Sequence, residues 1–400
     1  MKLLIVHERF GAFGGAEVNL LLTATEFKRR GHTLALLHGP ATGNGEADWR
    51  EIFSGRLKFD GQAADESVHA ALKQFSPDAI YLHKLADLSA LESLVESRRP
   101  LARMVHDHDL YCMRSYKYHP LTRAICRRPA SLACIFPCGA MLARNREGGL
   151  PFKWVSYSAK KKEIALNRRF PRMVVATEYM REELLRNGFS AGQIEIHAPV
   201  PRFEDAAQPA SFGERNLIVF AGQLIRGKGV DVLLEALALV RAPFECVIFG
   251  EGGHRADCEV LSRRLGLASR VKFRGYVAPA DMAAEYANAS LAVVSSVWPE
   301  PFGAVGLEAM RYGLPVVAFD AGGIREWLTD RGNGFLVPWM DRAQFGSRIE
   351  QLLRDKTLGR MLGMRGRGIA REKFSFTKYI DGLEAMFARL VAECRTAAMK

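Results

Sequence analysis

The residues best suited to chemistry lie in Trp298-Pro299-Glu300-Pro301-Phe302-Gly303-Ala304-Val305-Gly306-Leu307-Glu308. Glu300 precedes a helical pattern and Glu308 falls about a turn and a half inside it, so the two carboxylates can meet one polyhydroxylated ligand from different heights. Pro299 and Pro301 fix φ and hold off helix formation, and Gly303 lets a ligand approach the backbone. The free N–H groups of the helix start, at Ala304 and Val305, would point at that ligand. Upstream, Gly222-Gln223-Leu224-Ile225-Arg226-Gly227-Lys228-Gly229 joins flexible backbone, two cations and a helix start, which together make a phosphate-binding device. The order G-x-x-x-x-G-K-[ST] is absent, so this is not a Walker loop. Gly250-Glu251-Gly252-Gly253-His254 and Gly322-Gly323 are further Gly-rich turns, and Val277, just past Gly275-Tyr276, is a plausible shelf for a flat base.

Two stretches in the first half carry chemistry of their own. Gly14 and Gly15, in Gly14-Gly15-Ala16-Glu17, would allow close approach of a diphosphate to a helix N-terminus. The spacing is not G-x-G-x-x-G, so a nicotinamide site is not indicated. Val105-His106-Asp107-His108-Asp109 ends an apolar strand pattern, and ligands of open α/β sheets bind beyond the carboxyl ends of strands, which places His106 to touch substrate. A pair of His and Asp can also bind a metal, and a lone His can be structural. Cys112, Cys126, Cys134 and Cys138 cluster in a stretch with little periodicity. They are weak zinc candidates, because the spacing lacks a C-x-x-C knuckle.

These loops need a frame. Apolar runs at 2–7, 33–38, 79–83 and 101–106 alternate with helical patterns, and the grammar continues with strands at 173–176 and 194–198. It restarts with strands at 217–220, 246–249, 271–273, 291–297 and 315–319. The alternation predicts an α/β protein with parallel sheets. The domain reading is 1–200, including a basic, Cys-containing insertion at about 110–172, then a linker at 201–215 and a second domain at 216–376. The segment 377–400, mostly one helix, is expected to cross back to the first domain.

Hydrophobic content of 48% and charged content of 25% are ordinary for a soluble globular chain, and seven cysteines in 400 residues do not suggest a secreted disulfide scaffold. No apolar run reaches membrane-span length, and the default expectation is a cytoplasmic protein. The net charge of +12 is concentrated: residues 98–172 hold 17 Lys and Arg against four Asp and Glu, a surplus of 13. Such a region suits an anionic membrane surface, a phosphorylated substrate or nucleic acid. Trp154, Tyr157, Lys160-Lys161-Lys162 and Arg168-Arg169-Phe170-Pro171-Arg172 mix aromatics with cations, as in an amphipathic stretch lying on a membrane. No recognition helix or aromatic ribonucleoprotein signature accompanies them, so no nucleic-acid partner is expected.

Taken together and in this order, Gly14 to Glu17, Val105-His106-Asp107, Gly222 to Gly229, Gly250-Glu251-Gly252, Glu300 to Glu308 and Gly322-Gly323 resemble the retaining nucleotide-sugar glycosyltransferases of family 4. The resemblance spans nearly the whole chain. It implies the GT-B fold, two Rossmann-like domains facing across a cleft, with the donor nucleotide on the C-terminal one. It implies catalytic roles for His106, Glu300 and Lys228. It also implies donor contacts for Gly14, Gly15, Gly222, Arg226, Lys228, Gly250, Gly252, Val277, Phe302, Gly303, Ala304, Val305 and Glu308. Lys228 would hold the diphosphate, Glu308 the ribose hydroxyls, and Glu300 and His106 the sugar. The donor would be a UDP- or GDP-type sugar, with no further cofactor, and the acceptor a glycan or lipid-linked hydroxyl in polysaccharide or glycoconjugate synthesis. Peripheral contact with an anionic membrane would run through 98–172. Many members carry Arg directly after the glycine at 222, where this chain has Gln223, which leaves Arg226 to take over that charge or Lys228 to work alone. A non-hydrolysing sugar-nucleotide epimerase and a non-catalytic sugar-nucleotide-binding subunit share the architecture and stand as alternatives.

Overall fold

The computed structural model describes residues 1–12, 14–144, 152–202, 210, 215–277 and 281–398. Most of the predicted linker 201–215 therefore lies outside the described residues. The chain divides into two units, one of residues 1–117, 126–202 and 376–400, the other of residues 118–125 and 203–375.

The first unit runs β1 (Lys2–His7), α1 (Gly15–Arg29), β2 (Thr33–His38), α2 (Glu46–Ile52), β3 (Gly55–Lys58), α3 (Ala64–Phe75), β4 (Ala79–Leu82), α4 (Leu88–Glu96) and β5 (Leu101–Met104). After an irregular stretch come a small ribbon, β6 (Leu142–Arg144) and β7 (Phe152–Trp154), then α5 (Tyr157–Asn167), β8 (Arg172–Val175), α6 (Glu178–Arg186) and β9 (Ile194–Ile196). Seven strands form one sheet in the order β3-β2-β1-β4-β5-β8-β9, with every neighbour parallel. Both faces are covered, so the central strands read as continuous apolar runs. Leu4, Val6, Ile80 and Leu82 enter one core with Val68, Leu91 and Leu184, while Leu3, Ile5 and Tyr81 enter the other with Leu20 and Phe27.

The second unit runs β10 (Leu217–Ala221), α7 (Val230–Leu237), β11 (Glu245–Phe249), α8 (Arg255–Arg264), β12 (Val271–Gly275), α9 (Met282–Asn288), β13 (Leu291–Val294), α10 (Ala304–Arg311), β14 (Val316–Phe319), β15 (Gly334–Val337), α11 (Arg342–Arg354) and α12 (Lys356–Glu372). Its six strands are parallel in the order β12-β11-β10-β13-β14-β15. Ile218, Phe220, Val293 and Phe319 pack with Leu233, Leu237, Phe345 and Ile349 in its core. The closing helix α13 (Phe376–Ala398) belongs to the first unit, where Ile380, Leu383, Met386 and Phe387 join the core of Leu20, Phe27 and Tyr81.

Both sheets reverse direction of growth once, between β1 and β4 in the first and between β10 and β13 in the second. Strand carboxyl ends at such a reversal diverge into a crevice, the usual ligand position in open α/β sheets. The sequence reading differs in several places. It omits the strands β3, β6, β7 and β15, and it places all of 110–172 in the first domain. Tyr118–Ile125 groups with the second unit, where the Arg123 guanidinium grips Asp231, in the first turn of α7, at 3.1 and 2.5 Å.

Candidate functional site

In the second unit, the loops after β10 and β13 are laced together by backbone. Val297 and Trp298 both donate N–H to the Gly227 carbonyl, at 2.8 and 3.1 Å, and the Ser295 hydroxyl donates to the Lys228 carbonyl at 2.9 Å. Gly229 has φ +65°, and a Cβ there would lie 2.1 Å from the Ser295 carbonyl, so only glycine permits this approach. The lacing sets Lys228 against Glu300: Nζ to Oε1 is 2.6 Å, with the ammonium also 5.3 Å from the Trp298 ring centre. The Ser296 hydroxyl donates to the same carboxylate oxygen.

Glu300 is 3% exposed. Burial alone pushes its carboxyl up, but Lys228, Ser296 and Trp298 outweigh that and hold it below the ordinary value, so it is ionised. Its backbone is pinned from the next turn: Glu300 N–H donates to Ala321 at 3.2 Å and Gly323 N–H donates to the Glu300 carbonyl at 2.7 Å. Phe302 and Gly303 then start α10, with Gly303 at φ +79° and the Trp327 indole N–H donating to the Phe302 carbonyl at 2.7 Å. Ala304 and Val305 occupy the first turn, where helix N–H groups lack intrahelical acceptors. One turn deeper, burial raises the Glu308 carboxyl from 4.5 to about 7. A carboxyl poised there can accept from two hydroxyls once ionised.

The structure thus gathers Lys228, Glu300, the start of α10 and Glu308 around one reversal point. Gly222, Gly250 and Gly252 line the same edge, where Gly250 and Gly252 allow the loops to pack closely. A Cβ on Gly250 would lie 1.9 Å from the Gly222 carbonyl, and one on Gly252 2.4 Å from that of Leu224. Gly250 N–H donates to Gly275 at 2.7 Å, which ties in the end of β12, and half-buried Val277 follows two residues later. Arg226 is exposed and its guanidinium donates to the Pro120 carbonyl at 3.4 Å, while Gln223 is exposed.

In the first unit, the reversal point collects imidazoles. His7 ends β1, His83 follows β4 and His106 lies two residues past β5. His83 Nδ1 and His106 Nε2 are 2.8 Å apart with the rings stacked at 5.1 Å, so one neutral ring donates to the other. Burial pushes both well below the ordinary histidine value and His7 down to about 4, so none carries charge near neutrality. Gly14 N–H donates to Glu17 Oε2 at 2.9 Å, while Glu17 Oε1 stands 3.5 Å from His7 Nε2. A Cβ on Gly15 would meet nothing within 4 Å among the described residues. Asp107 and Asp109 are engaged by Lys84 at 2.6 and 2.9 Å, and His108 is buried with its Nδ1 2.8 Å from the Tyr111 hydroxyl. The metal reading of the His-Asp pair finds no support: among the described residues no group of three or more His, Cys, Asp and Glu could hold an ion. The zinc expectation meets the same finding, because Cys112, Cys126, Cys134 and Cys138 are all free thiols and form no such group.

Sequence reasoning passed over His83, Glu17 and Ser296. His83 follows a strand end just as His106 does, and Glu17 stands three residues after Gly14, the spacing of a capping glutamate, so both carried a usable signal. Ser296 had none, because its role depends on where Glu300 lands.

Residues 201–368 match the family described as Glycosyl transferases group 1. The match covers Lys228, Glu300 and Glu308 but not the first unit. Among curated proteins, an uncharacterized glycosyltransferase of Methanocaldococcus jannaschii is 37% identical over 126 residues, 31% of this chain and 32% of that one. Alpha-D-kanosaminyltransferase of Streptomyces kanamyceticus is 26% identical over 253 residues, 60% of this chain and 64% of that one. The chain thus spans less than two thirds of the length of either relative. Anabaena HepE, solved in complex with UDP, superposes with a TM-score of 0.74 at 20% identity, covering 97% of this chain and all of HepE. That likeness establishes the fold: a two-domain α/β protein of GT-B type.

Proposed function

We propose that the protein is a retaining glycosyltransferase that moves a sugar from a nucleoside-diphosphate sugar to a hydroxyl of a glycan or lipid-linked acceptor. The observation that carries this reading is the set Lys228, Glu300, α10 start and Glu308 at the reversal point of the sheet that bears the group 1 match. Glu308 is assigned to the ribose hydroxyls, Lys228 and the α10 N–H groups to the diphosphate, and Glu300 to the sugar hydroxyls. In the first unit, His106 and the Gly14-Gly15 turn are assigned to substrate contact, His106 as a neutral hydrogen-bonding group. A UDP-type donor is favoured because HepE was solved with UDP. No cofactor beyond that donor is invoked.

In this reaction the bond from the anomeric carbon to the diphosphate oxygen breaks, and its electron pair leaves with the nucleoside diphosphate. Lys228 and the helix N-terminus stabilise that developing charge, a preorganised electrostatic effect of about 3 kcal/mol per well-placed donor. The acceptor oxygen bonds to the anomeric carbon on the face the diphosphate leaves, and its proton passes to the departing phosphate. We further propose that the acceptor belongs to surface polysaccharide or glycoconjugate synthesis and is met by a cytoplasmic protein at the inner face of a membrane. The surplus charge of residues 98–172 supports this.

The test is a panel of nucleotide sugars scored first by thermal stabilisation and then by acceptor-dependent release of nucleoside diphosphate. One UDP- or GDP-sugar is expected to raise Tm and to yield product with the donor's anomeric configuration. No stabilisation by any nucleotide sugar would overturn the reading, and an inverted product would overturn the mechanism.

A further inference from the structure

The expected amphipathic membrane stretch is only partly exposed. In α5, Glu163, Ile164, Leu166 and Asn167 are buried, Lys160 pairs with Glu163 at 2.5 Å, and Lys162 pairs with Glu92 at 2.9 Å. The apolar surface lies just upstream. Leu132 is 69% exposed, Phe136 84%, Leu142 54% and Trp154 68%. Phe136 N–H donates to the Leu132 carbonyl at 3.1 Å, so these two side chains stand one turn apart. Leu142 and Trp154 are cross-strand partners in the β6–β7 ribbon, and directly opposed residues of an antiparallel pair share a face. The turn and the ribbon are joined, because Ala140 N–H donates to Cys134 at 2.8 Å and Leu142 N–H to Gly139 at 3.4 Å. The ribbon is a sheet of its own, outside both large sheets.

Exposed cations lie along the same stretch, at Arg127, Arg128, Lys161 and Arg169, within the segment that holds a surplus of 13 positive charges. Apolar and aromatic side chains set among Lys and Arg fit the interface of an anionic bilayer, where rings sit at headgroup depth and cations meet lipid phosphates. A stable protein partner would need about 20–30 residues a side, far more than this small excursion offers. We infer that the turn of Leu132 and Phe136 and the ribbon of Leu142 and Trp154 are the surface that docks this protein on an anionic lipid bilayer. The inference deepens the proposal of a membrane-borne acceptor, and it is testable without any transfer reaction.

The full chain is sedimented with vesicles of phosphatidylcholine alone, or of equal phosphatidylcholine and phosphatidylglycerol, at low and high salt. Wild type is expected to pellet with the anionic vesicles at low salt and to remain in solution with neutral ones. Leu132→Ser with Phe136→Ser should weaken that partition about tenfold or more without changing Tm, because both side chains are exposed. Tryptophan emission should shift to the blue on binding in wild type but not in Trp154→Phe, which should still bind. Equal pelleting with both vesicle types, or pelleting unaltered in the double variant, would overturn the inference. So would self-association, seen by light scattering, that the same two substitutions abolish. Stabilisation by nucleotide sugars, measured on the same variants, reports separately on the transferase reading and should not change.

Discussion

The two glutamates that frame the α10 turn sit in opposite electrostatic environments, and that contrast predicts different behaviour. Glu308 has no cation to offset burial, and its carboxyl rises from 4.5 to about 7. A folded-state value above the unfolded one favours the protonated fold, so the contribution of Glu308 to stability is full below pH 4.5 and is lost as pH rises from 4.5 to about 7. Glu308→Gln should therefore match wild type in Tm below pH 4.5 and exceed it above pH 7. Donor binding should run the other way, since accepting two ribose hydroxyls calls for the ionised carboxylate. Affinity of wild type for a nucleotide sugar, whose diphosphate does not titrate in this window, should improve as pH rises through about 7. Glu308→Gln should bind about tenfold more weakly with a flat profile, and calorimetry showing the same pH dependence in both would refute the role. For the Lys228–Glu300 pair, Lys228→Ala strands a buried carboxylate and should cost about 3 kcal/mol of stability. Adding Glu300→Gln should restore much of that Tm, while turnover stays down about 10²-fold or more in both variants. Recovery of turnover in the double variant would mean that the pair is structural. Lys228, Glu300 and Glu308 were legible in the sequence as residue types beside Gly-rich turns. That Lys228 and Glu300 bond each other was not, because they lie 72 positions apart.

The elements that carry these side chains are strand-to-turn units held together by glycines, and backbone approach is the reason. Gly250 has φ +129° and its Cβ position lies 1.9 Å from the Gly222 carbonyl, whereas a Cβ on Gly253 would meet nothing within 4 Å among the described residues. Gly250→Ala should lower stability by about 2 kcal/mol or more, because strain at such a φ adds to the clash. It should also loosen the loop that carries Lys228. Gly253→Ala, three residues away, should leave Tm and donor stabilisation as in wild type. Comparable losses in both variants, read by thermal melts, would show that the loop is sensitive for some other reason. The buried strands were legible because a sheet covered on both faces demands apolar runs such as Leu3 to Val6 and Leu291 to Val294. The strand β3 was not, since Arg56 and Lys58 alternate outward on a four-residue edge. Nor was the placement of Tyr118–Ile125, whose anchor joins Arg123 to Asp231 across 108 positions.

At the scale of the whole molecule, the chain's last helix completes the core that its first residues begin. Phe387 is fully buried and packs edge-on against Tyr81 of β4 at 5.2 Å and Phe27 of α1 at 6.4 Å, and the Tyr379 hydroxyl lies 3.4 Å from that of Thr23 and 3.3 Å from Asn19 Oδ1. Arg30 adds ion pairs to Asp381 and Glu384, each at 2.6 Å. Local opening follows packing, so the first unit's stability should depend on residues more than 300 positions away in sequence. Phe387→Ala removes a ring from a closed core and should cost about 3–5 kcal/mol. The loss should be confined to one unit: amide exchange should accelerate at Leu3 to Val6 and Ala79 to Leu82, strands that rest on this core. Exchange at Val247 to Phe249, in the sheet that carries Lys228 and Glu308, should stay at its wild-type rate. Nucleotide-sugar stabilisation of the second unit's amides should persist as well, because the groups assigned to the ribose and the diphosphate belong to that unit and α13 to the other. Uniform acceleration across both sheets would mean that the two units unfold as one and that the closing helix stabilises the entire chain.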